Sequence, residues 1–325
     1  MSMPKVSILI PVFNRKDYIA ECIQSALDQT FTDFEVVVVD NASDDGTWAI
    51  CQQFAAADQR VRIFRNESNI GPVRNWIRCA QEAKGAFSKI LFSDDWLEPN
   101  CLSEMVPKLD DSEVALVYCA ARIGKSREES VIAYSRPDSS RSSPTQFLKL
   151  VLSGKAPVSP GAVLIRTHDL LENLHTTFPT STTRQFERNG AGPDVMILLL
   201  TAHNYVYVAN SVAPLVFFRA HAGSFSIQNR NNDVMKGYQS VISLFLSKNC
   251  DRKVWLNYLA SAWLQQIRFT RSWRSPFAHL VEFEGTGTMS EVIALQVLAV
   301  EHVINLMYRR LKKLRYRSSQ KQSSV

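Results

Sequence analysis

Two aspartates on consecutive residues, Asp94 and Asp95, follow the stretch Lys89-Ile90-Leu91-Phe92-Ser93. Adjacent carboxylates repel each other and are costly to strip of water, so the pair suits a divalent cation or ribose hydroxyls better than a core. The same residues could open a helix, because Asp95-Trp96-Leu97-Glu98-Pro99 has the form of an N-cap, and both readings stand open. A second polar cluster, Asp40-Asn41-Ala42-Ser43-Asp44-Asp45-Gly46-Thr47, comes off another apolar run. Ser43 to Gly46 reads as a turn and helix cap, whereas Asp40 and Asn41 leave the run directly and point toward a cleft. The chain has no Walker A loop, no G-x-G-x-x-G and no G-x-S-x-G, so NTPase, dinucleotide-dependent and α/β-hydrolase chemistries lack a motif.

Such residues need elements that bring them to one edge. Val6–Val12, Phe34–Val39, Val61–Arg65, Lys89–Phe92 and Val114–Tyr118 are short runs rich in branched apolar residues and predict buried strands. Between them Ile19, Cys22, Ile23, Ala26 and Leu27 space as one face of a helix, as do Trp48, Cys51, Phe54 and Ala55, and Val73, Trp76, Ile77 and Ala80. This alternation predicts an α/β fold: a mostly parallel, Rossmann-like sheet with helices on both faces. Ligands of such sheets sit beyond the carboxyl ends of the strands, which directs attention to Phe13–Arg15, Asp40–Asp45 and Ser93–Trp96. Ser135–Pro144 and Thr176–Pro193 read as loops, Val195–Ala202 as a short buried helix and Val212–Phe218 as a strand. After about Ile227 the pattern is helical. Val300, Ile304, Met307, Leu311 and Leu314 form a narrow apolar seam, and Trp255, Trp263 and Trp273 read as core or interface.

The 325 residues carry 37 basic and 31 acidic side chains, a net charge of +6. Seven of the basic residues fall between Arg309 and Lys321 with no acidic residue among them; without them the balance is −1. A near-neutral body with a basic tail excludes nucleic acid as an expected partner. Pro11 and Asn14 end the first apolar run before a signal peptide can develop, and Val292–Val300 is too short for the ~20 residues of a membrane span. Six scattered cysteines without a C-x-x-C pair predict reduced, buried thiols and a cytoplasmic location.

The order of the motifs carries a resemblance. The opening VSILIPVFNRKDYIAECIQSALDQTFTDFEVVVVDNASDDGT resembles that of family 2 glycosyltransferases, which have the GT-A fold. Asn69-Ile70-Gly71-Pro72-Val73-Arg74-Asn75 is similar to the family's N-x-G-x-x-x-N stretch, and Ala83-Lys84-Gly85 followed by ILFSDDWLEP to its AKG and DD region. Gly192-Pro193-Asp194 resembles the E-D motif, and the segment from Phe218 to Ser226, FRAHAGSFS, resembles YRxHxGSxS. The five segments stand in the family's order over residues 6–226, and the helical third lies beyond them.

The resemblance implies an inverting glycosyltransferase that uses a UDP- or dTDP-sugar donor and a saccharide or lipid-linked acceptor, in the synthesis of surface polysaccharide or glycoconjugate. Residues 1–120 would form the nucleotide-sugar half, 121–226 the acceptor half of the same domain, and 227–325 a helical region with the basic tail. Pro11, Phe13, Asp40, Asn41, Arg74 and Asp94 would bind the donor, with Phe13 against the pyrimidine and Asn41 at its edge. Arg74 reads equally as a solvated helix residue. Asp95 and His221 would hold Mg²⁺ or Mn²⁺, and Asp194 would be the general base. Phe92 stands where many members have the first Asp of D-x-D-D, and Pro193 where many have Glu. Those departures motivate the alternative of a catalytically weak nucleotide-sugar-binding or scaffold protein. The tail suggests peripheral contact with a membrane at its cytoplasmic face, and the helical region a homodimer contact.

Overall fold

Val6–Val12 and Phe34–Asp40 are buried along their whole length as strands β1 and β2. They belong to a computed structural model that describes residues 3–136, 139–180, 186–188, 190–221, 223–224, 232–270 and 290–303. With β3 (Val61–Arg65) and β4 (Phe87–Ile90) they form a parallel block ordered β3-β2-β1-β4. The crossovers are helices α1 (Ile19–Leu27), α2 (Thr47–Ala57) and α3 (Pro72–Glu82), which fill the apolar spacings read from the sequence. A parallel sheet covered by such helices must be apolar on both faces, which is why these strands are continuous rather than alternating.

After β4 the chain turns back through β5 (Trp96–Leu97) into α4 (Cys101–Leu109), whose N-cap residue is Asn100. The helix opening considered at Asp95 is therefore absent: Asp95 lies in the turn between two strands. Next come β6 (Val114–Gly124), β7 (Ser130–Ala133), β8 (Arg141–Ser142), α5 (Pro144–Leu152), β9 (Val163–Arg166), α6 (Thr167–Asn173), α7 (Pro193–His203) and β10 (Tyr207–Arg219). The full sheet runs β3-β2-β1-β4-β9-β6-β10-β5, with β7 on β6 and β8 on β10. β9 is antiparallel to both β4 and β6, so the second half of the sheet is mixed. β6 and β10 outrun their apolar cores because each pairs with the other, through three register shifts, as far as Gly124 and Arg219.

At the end of the parallel block away from the strand tips sits a polar knot. Ser7 Oγ donates to Glu35 Oε1 at 2.7 Å, Lys84 N–H donates to the same oxygen at 2.7 Å, and Arg62 donates to Glu35 Oε2 at 2.8 Å. Gly85 N–H donates to Ser7 Oγ at 2.8 Å, bringing its backbone against β1. The glycine of Ala83-Lys84-Gly85 is thus a matter of close approach.

The chain divides into two compact units, residues 1–178 with 185–238, and residues 179–184 with 239–325. The second unit holds most of α8 (Asn232–Asn249), α9 (Arg252–Thr270) and a helix over 290–303. Its core includes Val241, Leu246, Trp255, Leu259, Trp263 and Leu295, so the two described tryptophans are core residues. Trp273, the seam from Ile304 onward and the basic run from Arg309 lie outside the described residues. No helix among the described residues is long and apolar enough to cross a membrane. The six cysteines are free, five of them buried.

Gly85→Ala would set a methyl group 2.5 Å from Ser7 N and 2.6 Å from Val6 C, both backbone. The expected loss is about 1–3 kcal/mol, read as a lower thermal midpoint by calorimetry; an unchanged midpoint contradicts the packing described. Gly190, at φ +70°, faces the Trp76 ring so closely that a Cβ would overlap it. Gly190→Ala should displace that ring, visible as altered tryptophan fluorescence, and lower the midpoint by a similar amount.

Candidate active site

The strand tips of the first unit open onto a cavity of about 1030 Å³. Pro11, Phe13, Asn41, Asp94, Asp95 and Asp194 all line it. Phe13, 40% exposed, offers an apolar ring at the wall.

The turn carrying Asp94 and Asp95 is fixed at both ends. Asp95 N–H donates to Phe92 O at 2.9 Å, closing the turn. Trp96 then stacks on Phe217 of β10 with ring centroids 3.7 Å apart and planes 7° apart. Phe92 itself packs against Trp76 at 5.4 Å between centroids, so the residue standing in place of a further carboxylate extends the aromatic floor. Asp95 Oδ1 accepts from Arg219 N–H at 2.9 Å. The Arg219 side chain is used as scaffold: Nε donates to Asp94 O at 2.9 Å, the guanidinium lies over the Trp96 and Tyr18 rings, and it pairs with Glu21.

Burial, and next the charge of Asp94, push the Asp95 carboxyl well above the usual carboxylate range. The Arg219 N–H and the charges of Lys89 and Arg219 pull the other way. Lys89 is fully buried on β4, donating to Ile90 O at 3.2 Å and to Gly161 O. Asp94 is the more open of the pair. Its Oδ2 lies 2.9 Å from His221 Nε2 and 3.8 Å from Arg15 Nε. Because Gly223 N–H donates to His221 Nδ1 at 3.2 Å, the ring proton belongs on Nε2, where it donates to Asp94. The structure thus brings His221 to Asp94 rather than to Asp95.

Oxygen-rich, adjacent carboxylates fit a hard cation such as Mg²⁺ or Mn²⁺. Among the described residues no group of three or more His, Cys, Asp or Glu gathers as a complete metal site. A cation at this turn would have to take further ligands from a bound diphosphate or from water.

Two residues expected at the donor are elsewhere. Asp40 is fully buried at the end of β2 and does not line the cavity, with Oδ2 accepting from Ser43 N–H at 3.1 Å and pairing with Arg65 Nε at 3.1 Å. It holds the turn after β2, and its neighbour Asn41 reaches the cavity in its place. Arg74 is exposed and absent from the lining, whereas Pro72, Asn75 and Trp76 of the same helix line it. On a 3.6-residue period, positions three and four beyond Pro72 share its face and position two does not. Asn41 is engaged at both ends: Nδ2 donates to Asn69 at 2.9 Å, and Oδ1 accepts from Asn66 at 2.8 Å and Ile70 N–H at 3.0 Å. A nucleobase at this edge would exchange for one of those partners.

Asp194 is the second residue of α7 and is 7% exposed. Its Oδ1 accepts from Gly192 N–H at 2.9 Å and Val195 N–H at 2.8 Å, and its Oδ2 from Tyr238 Oη–H at 2.6 Å. Burial pushes the carboxyl up to about 7, against the downward pull of those three donors. It therefore serves the helix start and faces the cavity at once.

The lining also includes Arg15, Asn69, Arg188 and Tyr238, to which the sequence assigned no role. Arg15 lies in a strand-tip segment already marked for attention, so a signal existed. Tyr238 sits in a helical stretch that matches no motif and could be found only from the fold.

Known proteins bear on these observations. Putative glycosyltransferase EpsH of Bacillus subtilis is 34% identical over 120 residues, which is 37% of this chain and 34% of that protein. Chondroitin synthase of Escherichia coli is 39% identical over 125 residues, covering 37% of this chain and 18% of that protein. The chain spans about a third or less of the length of these curated relatives. Among solved structures, S. aureus TarS 1-349 in complex with UDP-GlcNAc superposes with a TM-score of 0.61 at 16% identity, covering 94% of this chain and 92% of that one. That likeness shows the GT-A fold. The family model for glycosyl transferase family 2 matches residues 7–174, more than half of the sequence, and the chain belongs to that family.

Proposed function

We propose that the protein transfers a sugar, with inversion, from a UDP- or dTDP-sugar to a hydroxyl of a saccharide or lipid-linked acceptor in the synthesis of a surface polysaccharide or glycoconjugate. One observation carries this: a single cavity of a family 2 chain is lined both by the Asp94–Asp95 turn and by a buried carboxyl poised near neutrality. TarS solved with UDP and with UDP-GlcNAc supports a uridine nucleotide as donor.

On this reading the Phe13 ring lies along the base, Pro11 and Asn41 border it, and Asp94 meets ribose or sugar hydroxyls. Asp95, with Asp94 and His221 beside it, would hold Mg²⁺ or Mn²⁺. That ion, when bound, offsets the negative charge growing on the leaving diphosphate. Asp194 accepts the proton of the acceptor hydroxyl. The oxygen bonds to the anomeric carbon as the bond to the diphosphate breaks on the opposite face, which inverts that centre. A base with a pKa of about 7 is partly ionised at neutral pH, where acceptance of a proton is still favourable.

Asp194→Asn is expected to lower kcat by about 10²–10⁴-fold in a transfer assay with manganese or magnesium. Asp95→Ala should raise the cation concentration needed, and chelation should remove activity that added cation restores. If both variants match the parent, the mechanism is wrong. If UDP binds with no divalent ion and no donor turns over, the chain acts as a binding or scaffold protein instead. Because Asp194 works as a base when ionised, kcat/KM should climb as pH passes upward through about 7 and be lost below it; a profile flat from pH 5.5 to 8.5 contradicts the assignment.

Ile293, Val297 and Val300 are exposed on the helix over 290–303, which precedes the basic run in sequence. They support peripheral contact with an anionic membrane at its cytoplasmic face. Co-sedimentation with phosphatidylglycerol liposomes should be stronger for the full chain than for one ending near Tyr308, and equal pelleting overturns the contact.

A further inference from the structure

Three hydrogen bonds to Asp194 leave little of its carboxylate open. An ionised carboxylate has four acceptor positions, two on each oxygen. Oδ1 gives both of its positions to the backbone N–H groups of Gly192 and Val195. Oδ2 gives one to the Tyr238 hydroxyl, at 2.6 Å. Those donors come from different parts of the first unit: the N–H groups from the start of α7, the phenol from the first turns of α8. Tyr238 lines the same cavity as Asp194. Burial and the adjacent Asp194 charge push its phenol well above the usual value, so it stays protonated and donates.

Besides these three, the described residues give the Asp194 side chain only its own backbone N–H as a donor, which belongs to the helix start as well. Of the elements packed on α7, α6 presents Asp169, which accepts from Tyr205 instead, and α5 and β6 carry Lys149, Tyr118 and Arg122. The other ionisable residues of the cavity wall are Tyr134, Arg188, Arg15, Arg219, Asp94 and Asp95. Tyr134 is held at φ +64°, a backbone conformation uncommon for a residue with a side chain.

We infer that Tyr238 is a positioning residue for the transfer: its hydroxyl fills one acceptor position of Asp194 Oδ2 and leaves the other as the one place where an acceptor hydroxyl can dock. The inference rests on the reading of Asp194 as the base. It assigns the proton-accepting atom, Oδ2, and gives the phenol two tasks. It orients the carboxylate, and it stabilises the ionised form, since a donor to a carboxylate favours the charged state. During transfer the acceptor's proton moves to the remaining position on Oδ2 while its oxygen joins the anomeric carbon. The phenol keeps its own proton throughout, so it neither gains nor loses charge.

Tyr238→Phe removes the donor and keeps the ring. Losing a donor to the ionised form disfavours that form, so the Asp194 carboxyl should titrate about one pH unit or more higher. This is read without substrate, by carbon NMR of the labelled aspartate carboxyls, with Asp194→Asn identifying the signal. In transfer assays the acid limb of kcat/KM should move up by the same amount. Activity at pH 7 should fall about fivefold or more and recover toward pH 9, with the KM for donor within about twofold. Replacing Tyr238 by 3-fluorotyrosine, a stronger donor of nearly the same size, should move the limb the other way.

A limb and a titration identical to the parent's overturn the inference, as does a loss of rate equal at every pH. The two readings separate cleanly. If Asp194→Asn retains transfer, the base assignment falls. If Asp194→Asn abolishes transfer while Tyr238→Phe titrates as the parent does, only the role of Tyr238 falls.

Discussion

Two carboxylates on consecutive residues, one of them 8% exposed, repel each other at the end of a buried strand. That repulsion governs how the rest of the cavity is built. Partial burial removes the water that would screen the pair, so compensation must come from the protein or from a ligand. The fold supplies a fully buried lysine on the preceding strand, an N–H from β10, and an imidazole and a guanidinium on the exposed side. None of these makes a short ion pair with Asp95 itself. The pair is held in place while its charge is left incompletely answered, the electrostatic condition under which a bound cation gains most.

Asp194, in the same cavity wall, works by a different balance. Among the described residues no carboxylate shifts Asp194, and its donors, backbone N–H groups and a phenol, are neutral. Burial raises its proton affinity and those donors lower it, with a result near neutrality. One carboxyl group is therefore tuned mainly by dehydration, and the Asp94–Asp95 pair by dehydration and mutual repulsion. Groups of the same chemical kind come to differ in task because their surroundings differ.

Much of this arrangement was legible beforehand. The alternation of continuous apolar runs with helical spacing is a direct record of a parallel sheet covered on both faces, and β1 to β4 appear where it predicts, within two or three residues. The Asp94–Asp95 pair, Asn41 and Asp194 stand out in sequence because polar groups at strand ends and helix starts interrupt otherwise apolar patterns. Other positions were not legible. Asp40 and Asn41 are adjacent and equally polar, yet one pairs with Arg65 on the neighbouring strand and the other lines the cavity. Arg74 carries the charge that would suit a diphosphate, yet its place on α3 puts Asn75 and Trp76 toward the cavity instead.

Local pattern determined the element types, the parallel block and the carboxylates able to do chemistry, because hydrophobic period and turn composition are properties of neighbouring residues. Tertiary structure decided which partner each side chain meets. His221 against Asp94 spans 127 positions, Arg219 N–H to Asp95 spans 124, and Tyr238 on Asp194 spans 44. Contacts over such separations depend on how β10 and the start of α8 return to the first strands. No periodicity within either segment encodes that return; it follows from burying the whole sheet at once.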